Sequence, residues 1–206
     1  MKFPFKKYKD INFFAKDYFY EFLKAKDSIN SKNLQIIFEV LQKFYKSNKK
    51  VFVCGNGGSA AIANHFECDH KKILAENTNI KPKIISLCSN NSLISAIAND
   101  ISYNSIFKKQ LSYLAKKGDL LIAISSSGKS QNIIDAIDYA KKNKIISISF
   151  TGFSGGISKK KSDYNIHINS YNYGIVESLH HSIMNVLAQY IRQKNSTAKI
   201  IKSSFF

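Results

Sequence analysis

The chain has 206 residues, with 31 Lys or Arg against 14 Asp or Glu, and a formal net charge of +17. This length supports one domain with a full core, and a hydrophobic fraction of 44% excludes intrinsic disorder. No apolar run approaches the roughly 18 residues of a membrane helix, so a spanning protein is excluded. The three cysteines show no CxxC spacing, and the first 20 residues lack the apolar centre of a secretory signal. We therefore expect a cytoplasmic protein that is not attached to a membrane.

The large positive charge raises the hypothesis of nucleic-acid binding, because basic proteins bind phosphate backbones. Arg192 is the only arginine, however, so the bidentate side chain that clamps phosphates and reads guanine is almost absent. The lysines are scattered in pairs, with one short run at residues 159–161. This distribution favours a solvated lysine surface and argues against nucleic acid as the main partner.

Hydrophobic periodicity predicts two amphipathic helices between residues 10 and 48, with a break near residues 28–31. Short apolar runs then alternate with helix-forming stretches, which indicates parallel strands joined by right-handed helical crossovers. The predicted fold class is therefore α/β, a doubly wound parallel sheet with N-terminal helices and a C-terminal helix. The predicted strands are residues 50–54, 83–87, 119–124, 144–150 and 164–168, and the predicted helices are residues 60–72, 91–98, 131–142 and 175–193.

Two loops follow predicted strands and precede helices, the position where such sheets bind ligands. The first loop, residues 55–59, supplies glycines that let backbone N–H groups approach a ligand. The second, residues 125–130, supplies four serines and a glycine at a helix N-terminus, where N–H groups and the helix dipole favour phosphate. Turn formation and helix capping alone would explain the same residue types. The first loop matches neither GxGxxG nor a P-loop, so we expect a phosphorylated metabolite and no nucleotide cofactor.

Five motifs in order resemble the sugar isomerase (SIS) domain family, and within it the bacterial phosphoheptose isomerases. They are residues 53–61, 64–66, 96–100, 118–130 and 151–156. The resemblance implies a flavodoxin-like sheet, a homotetramer, and interconversion of sedoheptulose 7-phosphate with an aldose heptose phosphate through an enediol, as used for lipopolysaccharide or capsule heptose. It also places the phosphate on Ser125, Ser126, Ser127 and Ser130, and the sugar on Asn56, Gly57, Gly58, Ser59, Asn99, Asp100 and Glu177.

The chain departs from the family at the catalytic positions. The family carries His and, four residues later, Glu after the glycine loop, where this chain has His65 and Asp69. In the last helix the family carries Gln and, eight residues later, His, which align with Glu177 and Asn185. Asp69 can still act as a base, but Asn185 cannot transfer a proton. The same pattern resembles the DnaA initiator-associating protein, a non-catalytic member of the family, so a sugar-phosphate-binding or adaptor role is the alternative function.

The two helices offer a compensating arrangement. His65 and Asp69 are four residues apart, as are Glu177 and His181, so each pair lies on one face of its helix. Together they form a set suited to Zn²⁺, and His181 could replace the missing histidine. Asp69, His181 and Glu177 are the candidate catalytic residues; His65, Asp69, Glu177 and His181 are the candidate metal ligands. The alternatives are that the histidines are polar surface residues, and that His180 faces the pocket instead of His181.

The predicted organisation has three parts. Residues 1–48 form a helical extension, residues 49–194 the SIS domain, and residues 195–206 a frayed polar tail. We expect a sugar-phosphate isomerase whose main partners are its phosphorylated substrate and other copies of this chain.

Overall fold

The computed structural model describes residues 2–203 of the chain. A 3₁₀ turn at Tyr103–Ser105 precedes the fifth helix. In chain order the elements are α1 (Ile11–Lys26), α2 (Ser31–Tyr45), β1 (Lys50–Gly55), α3 (Gly58–Asn77), β2 (Lys83–Ser86), α4 (Asn91–Asp100), α5 (Ile106–Leu114), β3 (Leu120–Ser125), α6 (Gln131–Lys142), β4 (Ile146–Thr151), α7 (Gly156–Lys161), β5 (Tyr164–His167), α8 (Tyr173–Asn195) and α9 (Ala198–Ser203).

The strands form one parallel sheet in the order β2-β1-β3-β4-β5, which confirms the predicted doubly wound α/β class. This is the flavodoxin-like order, in which the direction of strand addition reverses between β1 and β3. Every residue of β3 is buried, as are all but the first of β1, because helices cover both faces. Continuous apolar runs were therefore the correct sequence signal for these strands.

The helices pack mainly through α3 and α8, which lie against each other beside the sheet. The side chains of Phe66 and Leu187 belong to the buried core, which is continuous with the apolar faces of β1 and β3. Asn172 caps the start of α8, where its side-chain oxygen accepts a hydrogen bond from the backbone N–H of Ile175. This cap sets where α8 begins and thereby which of its residues face α3.

Two helices, α5 and α7, were not predicted from hydrophobic periodicity. Both are short, and α7 consists of GISKKK, whose lysines give no apolar stripe. The structure also forms helix α9 within the segment expected to be a frayed tail, and residues 204–206 of that tail lie outside the described residues. Within residues 2–203, the helices are all too short or too polar to cross a bilayer.

Candidate active site

The glycine loop and the serine loop meet at the point where the sheet reverses its strand order. Strands β1 and β3 are neighbours, with Gly55 opposite Ile124, so the loops that follow them leave the same edge of the sheet side by side. Gly57 has a φ of +53°, a left-handed conformation that glycine adopts without steric cost. Strand pairing therefore brings together two segments that are far apart in sequence. A hydrogen bond between Asn56 and Asn132, which are 76 positions apart, links them.

A small polar cavity opens between these loops and the start of α8. Its volume is about 120 Å³, below the roughly 300–1,000 Å³ of pockets that enclose a whole drug-sized ligand, so it suits a phosphate group better than a whole heptose. Among the described residues that line it, Glu177 is the only charged one, so the lysines in this part of the chain do not form the anion site. The lining residues are Asn56, Ser59, Ile124, Ser125, Ser126, Ser127, Ser130, Tyr173 and Glu177.

The serine loop presents polar groups that have no protein partner. Ser126 is 4% exposed, and its hydroxyl has no hydrogen-bond partner among the described residues. A buried hydroxyl without a partner costs about 1–3 kcal/mol, so a ligand oxygen that accepts a hydrogen bond from it would recover this energy. Ser130 is the N-cap of α6 but makes no side-chain capping bond, which leaves its hydroxyl and the first N–H groups of the helix available. These features fit an anion at the N-terminus of α6.

Glu177 closes the other side of the cavity. It projects from α8 towards the first turn of α3, where a Cβ atom built on Gly58 would lie 2.8 Å from the Glu177 Cδ atom. Gly58 therefore makes room for the carboxylate. Burial raises the pKa of Glu177 above its ordinary value of 4.5, because desolvation disfavours the charged form. A carboxyl group with a raised pKa, in a cavity, is a candidate for proton exchange with a ligand.

One helical turn beyond Glu177, three of the predicted catalytic and metal-ligating residues meet. The Nε2 atom of His65 lies 3.0 Å from Oδ2 of Asp69, and the His65 and His181 rings are 4.5 Å apart between centroids, edge to face. Burial lowers the pKa of His181; the neighbouring His65 lowers it further, and Asp69 opposes both effects. The His181 Nε2 atom is buried and has no hydrogen-bond partner among residues 2–203. These surroundings favour the neutral imidazole of His181 over the charged form, and its Nε2 atom is not engaged by another described residue.

The structure decides between His180 and His181. His180 is fully buried: its Nε2 atom lies 3.2 Å from the Thr151 carbonyl oxygen, and burial lowers its pKa to about 4. His70 is also fully buried, between the Tyr45 hydroxyl at 2.7 Å and the Met184 carbonyl oxygen at 3.1 Å. The alternative prediction that these two histidines lie on the surface is therefore wrong. His181 is the histidine of α8 that faces α3.

The four predicted metal ligands do not assemble into one site. Glu177 lines the serine cavity, whereas His65, Asp69 and His181 form a separate group one turn away. The His65 Nε2 atom lies against Asp69. Among residues 2–203, no three His, Cys, Asp or Glu side chains are placed to hold a metal.

The predicted pair Asn99 and Asp100 does not line this cavity. Both residues are exposed at the end of α4, where the Asn99 side-chain amide donates to Asp100 at 2.9 Å. Three residues that the sequence analysis missed are at the site instead. Tyr173 lines the cavity, and Tyr103 and Asn132 both hydrogen-bond to Asn56. The sequence could have indicated Asn132 only through its position two residues after Ser130. Nothing in the sequence pointed to Tyr103.

This fold and this pair of ligand-facing loops have known relatives. The SIS domain model matches residues 17–152, and the chain belongs to the SIS domain family. Its homologues within that family are phosphoheptose isomerases. The chain is 36% identical over 181 residues to the probable phosphoheptose isomerase of Thermoplasma acidophilum, covering 87% of this chain and 98% of that protein. It is 35% identical over 169 residues to the phosphoheptose isomerase of Clostridium acetobutylicum, covering 82% and 86%.

A solved structure gives the same result. The phosphoheptose isomerase GmhA of Neisseria gonorrhoeae superimposes with a TM-score of 0.81 at 25% identity, covering 89% of this chain and all of the other. The helical N-terminal region and the sheet therefore lie within a shared architecture.

Proposed function

We propose that this protein is an aldose–ketose isomerase of a sugar phosphate, with sedoheptulose 7-phosphate as the substrate. The observation that carries the proposal is the serine loop at the N-terminus of α6: its four serines line a small polar cavity, and the buried Ser126 hydroxyl has no protein partner in the described part of the chain. A phosphate group satisfies such a donor. The phosphoheptose isomerases among the relatives supply the substrate class.

The length of the substrate fits the distance between the two parts of the site. With the phosphate on the serine loop, the first two carbons of a heptose lie up to about 7 Å from C7, since six C–C bonds of roughly 1.5 Å separate C1 from C7. His181 follows Glu177 by one helical turn, or about 6 Å along α8. A heptose held by its phosphate in the serine cavity is therefore long enough to extend past the one helical turn that separates His181 from Glu177.

The reaction moves protons between neighbouring carbons. A base removes a proton from C1 of the ketose while the C2 carbonyl oxygen gains one, which gives the enediol. The O1 hydroxyl then loses its proton and C2 gains one, which gives the aldose. We assign the base at carbon to Asp69 and proton transfer at oxygen to His181, whose pKa is lowered by burial and by the neighbouring His65.

The remaining residues hold these groups and the sugar. His65 lies against Asp69 and fixes the orientation of its carboxylate. Glu177 contacts the sugar between the phosphate and the reacting carbons. The described side chains as arranged do not form a zinc site. Zinc therefore stays a prediction from the sequence, and no step of the proposed reaction depends on it.

The proposal is tested by proton exchange at carbon. The full chain is incubated with sedoheptulose 7-phosphate in D₂O, and deuterium at C1 and formation of the aldose are followed by NMR. We expect exchange and product with the wild-type protein. The Asp69→Ala variant should lose turnover and keep its fold, whereas Glu76→Ala, at an exposed acid of the same helix, should behave as wild type.

The outcomes separate the two functions that the sequence left open. Absence of exchange, both with added zinc and after chelation, would overturn the isomerase proposal for this substrate. Asn185, at the family's catalytic histidine position, is the observation that favours the alternative. Ligand-dependent stabilisation without turnover would point to a binding or adaptor protein.

We also propose that the chain assembles as a homotetramer in the cytoplasm. Helix α1 exposes an apolar surface whose side chains are each more than half exposed, which a second copy would cover. All three cysteines are free, in keeping with a reducing compartment. Light scattering after gel filtration measures the oligomeric state directly. The exposed residues are Ile11, Phe13, Phe19, Tyr20 and Leu23.

A further inference from the structure

The side-chain amide of Asn56 is held by two residues from different parts of the chain. Asn132, in the first turn of α6, pairs with it reciprocally: Asn56 Nδ2 donates to Asn132 Oδ1 at 2.9 Å, and Asn132 Nδ2 donates to Asn56 Oδ1 at 2.8 Å. Tyr103, from the 3₁₀ turn before α5, donates its hydroxyl to Asn56 Oδ1 at 3.1 Å. Asn56 itself lines the serine cavity.

The hydrogen-bond count fixes what this amide can offer a ligand. The Asn56 oxygen accepts two hydrogen bonds, so both of its lone pairs are used. One of its two N–H groups donates to Asn132; the other has no partner among residues 2–203. Asn56 is therefore a donor without spare acceptor capacity, and it suits a ligand oxygen that accepts a hydrogen bond.

Burial makes Asn132 suited to this task. It is 2% exposed, lies beneath the glycine loop, and belongs to the helix whose N-terminus forms the serine loop. A buried amide pair is costly to break, because each partner would lose its hydrogen bonds without gaining water. The pair thus ties the sugar-facing loop after β1 to the phosphate-facing loop after β3.

We propose that Asn132 and Tyr103 are positioning residues that fix the Asn56 amide as a hydrogen-bond donor to an oxygen of the bound sugar phosphate. This inference rests on the proposed function. It concerns how Asn56 is oriented before substrate arrives, which limits the reorganisation needed on binding. Neither residue needs to touch the substrate.

The first test uses Tyr103→Phe, which removes only a hydroxyl from a side chain that is 56% exposed. We expect kcat/KM to fall about five-fold, the factor for one hydrogen bond of ordinary strength. The matched control is Tyr113→Phe, at an exposed tyrosine of α5, which should leave kcat/KM unchanged. Inhibition by inorganic phosphate, which reports the serine loop, should be the same in both variants and in the wild type.

The second test is a double-mutant cycle with Asn56→Ala. If Tyr103 and Asn132 act through Asn56, then Tyr103→Phe and Asn132→Ala should cost about five-fold and about 30-fold in the wild-type background but little in the Asn56→Ala background. Equal losses in both backgrounds would mean a merely structural role and would overturn the inference. Tyr103→Phe keeps the cycle decisive should Asn132→Ala fail to fold.

The same cycle is measured on the affinity for sedoheptulose 7-phosphate by calorimetry. If the wild-type protein binds this sugar without turnover, the isomerase proposal is overturned. The double-mutant cycle measured on affinity then still decides the role of Asn132 and Tyr103. A wild-type protein that neither binds nor converts it overturns both proposals. If the wild-type protein turns the substrate over but the losses are equal in both backgrounds, only the positioning inference is overturned.

Discussion

Replacing Gly58 with alanine should lower the activity of the protein and leave its stability unchanged or higher. Gly58 is the first residue of α3 and has no positive φ, so alanine fits its backbone. Alanine is favoured over glycine in a helix by up to about 1 kcal/mol. The new methyl group, however, would lie 2.8 Å from the Glu177 Cδ atom, whereas carbon atoms in contact are about 3.5–4.0 Å apart.

The carboxylate must therefore retreat by about 1 Å, and it can do so because it is the end of a flexible side chain. A displacement of this size at a reacting site costs up to about 100-fold in rate. We expect kcat/KM to fall by one to two orders of magnitude, measured with sedoheptulose 7-phosphate, and the midpoint of thermal unfolding to stay level or rise.

The matched control is Gly174→Ala, in the first turn of α8. Its added Cβ would lie 3.3 Å from Asn172 Oδ1 and 3.4 Å from Tyr18 Oη and would not touch Glu177. This variant should keep its activity. If Gly58→Ala were as active as the wild type at an unchanged or higher melting temperature, the position of the Glu177 carboxylate would not matter for catalysis, and its assigned role would be wrong.

Three further predictions follow from the same site and its surroundings. Ser126→Ala should weaken inhibition by inorganic phosphate and lower kcat/KM about ten-fold or more. Stability against urea should not fall, because the hydroxyl that is removed has no protein partner in the described residues. Unchanged inhibition by phosphate would contradict the assigned phosphate cavity. Because burial raises the pKa of Glu177 above 4.5, protonation of this carboxyl, which contacts the sugar, should contribute to the acid limb of the pH–rate profile above pH 4.5; Glu177→Gln should remove that contribution, and an unchanged profile in the variant would contradict the prediction. His70 has a folded-state pKa of about 3 and His180 of about 4, against 6.5 when unfolded, so the unfolded chain binds more protons below pH 6.5 and stability should fall by about 2–3 kcal/mol between pH 7.5 and 5.5. Urea unfolding at the two pH values measures this, and constant stability would show that the two histidines are not neutral in the fold.

Strand positions were predictable because parallel strands covered on both faces are continuous apolar runs, as in β1 and β3. Helix α6 was predicted with its observed bounds, since its apolar residues repeat strictly and it follows the serine loop. Helix α7 was not predictable by the same rule, because its lysine-rich sequence has no apolar stripe and tertiary contacts with α6 and β4 hold it. Local pattern thus succeeds where burial is periodic in sequence.

The sequence by itself determined the doubly wound sheet and both ligand-facing loops, because strand burial, glycine turns and helix N-termini are local properties of the chain. Only the tertiary structure decided between His180 and His181, which are adjacent in sequence but point to different sides of α8. It also brought Tyr103 to Asn56. The reason is physical: spacing along one helix fixes which residues share a face, but the packing of one helix against another fixes which faces meet.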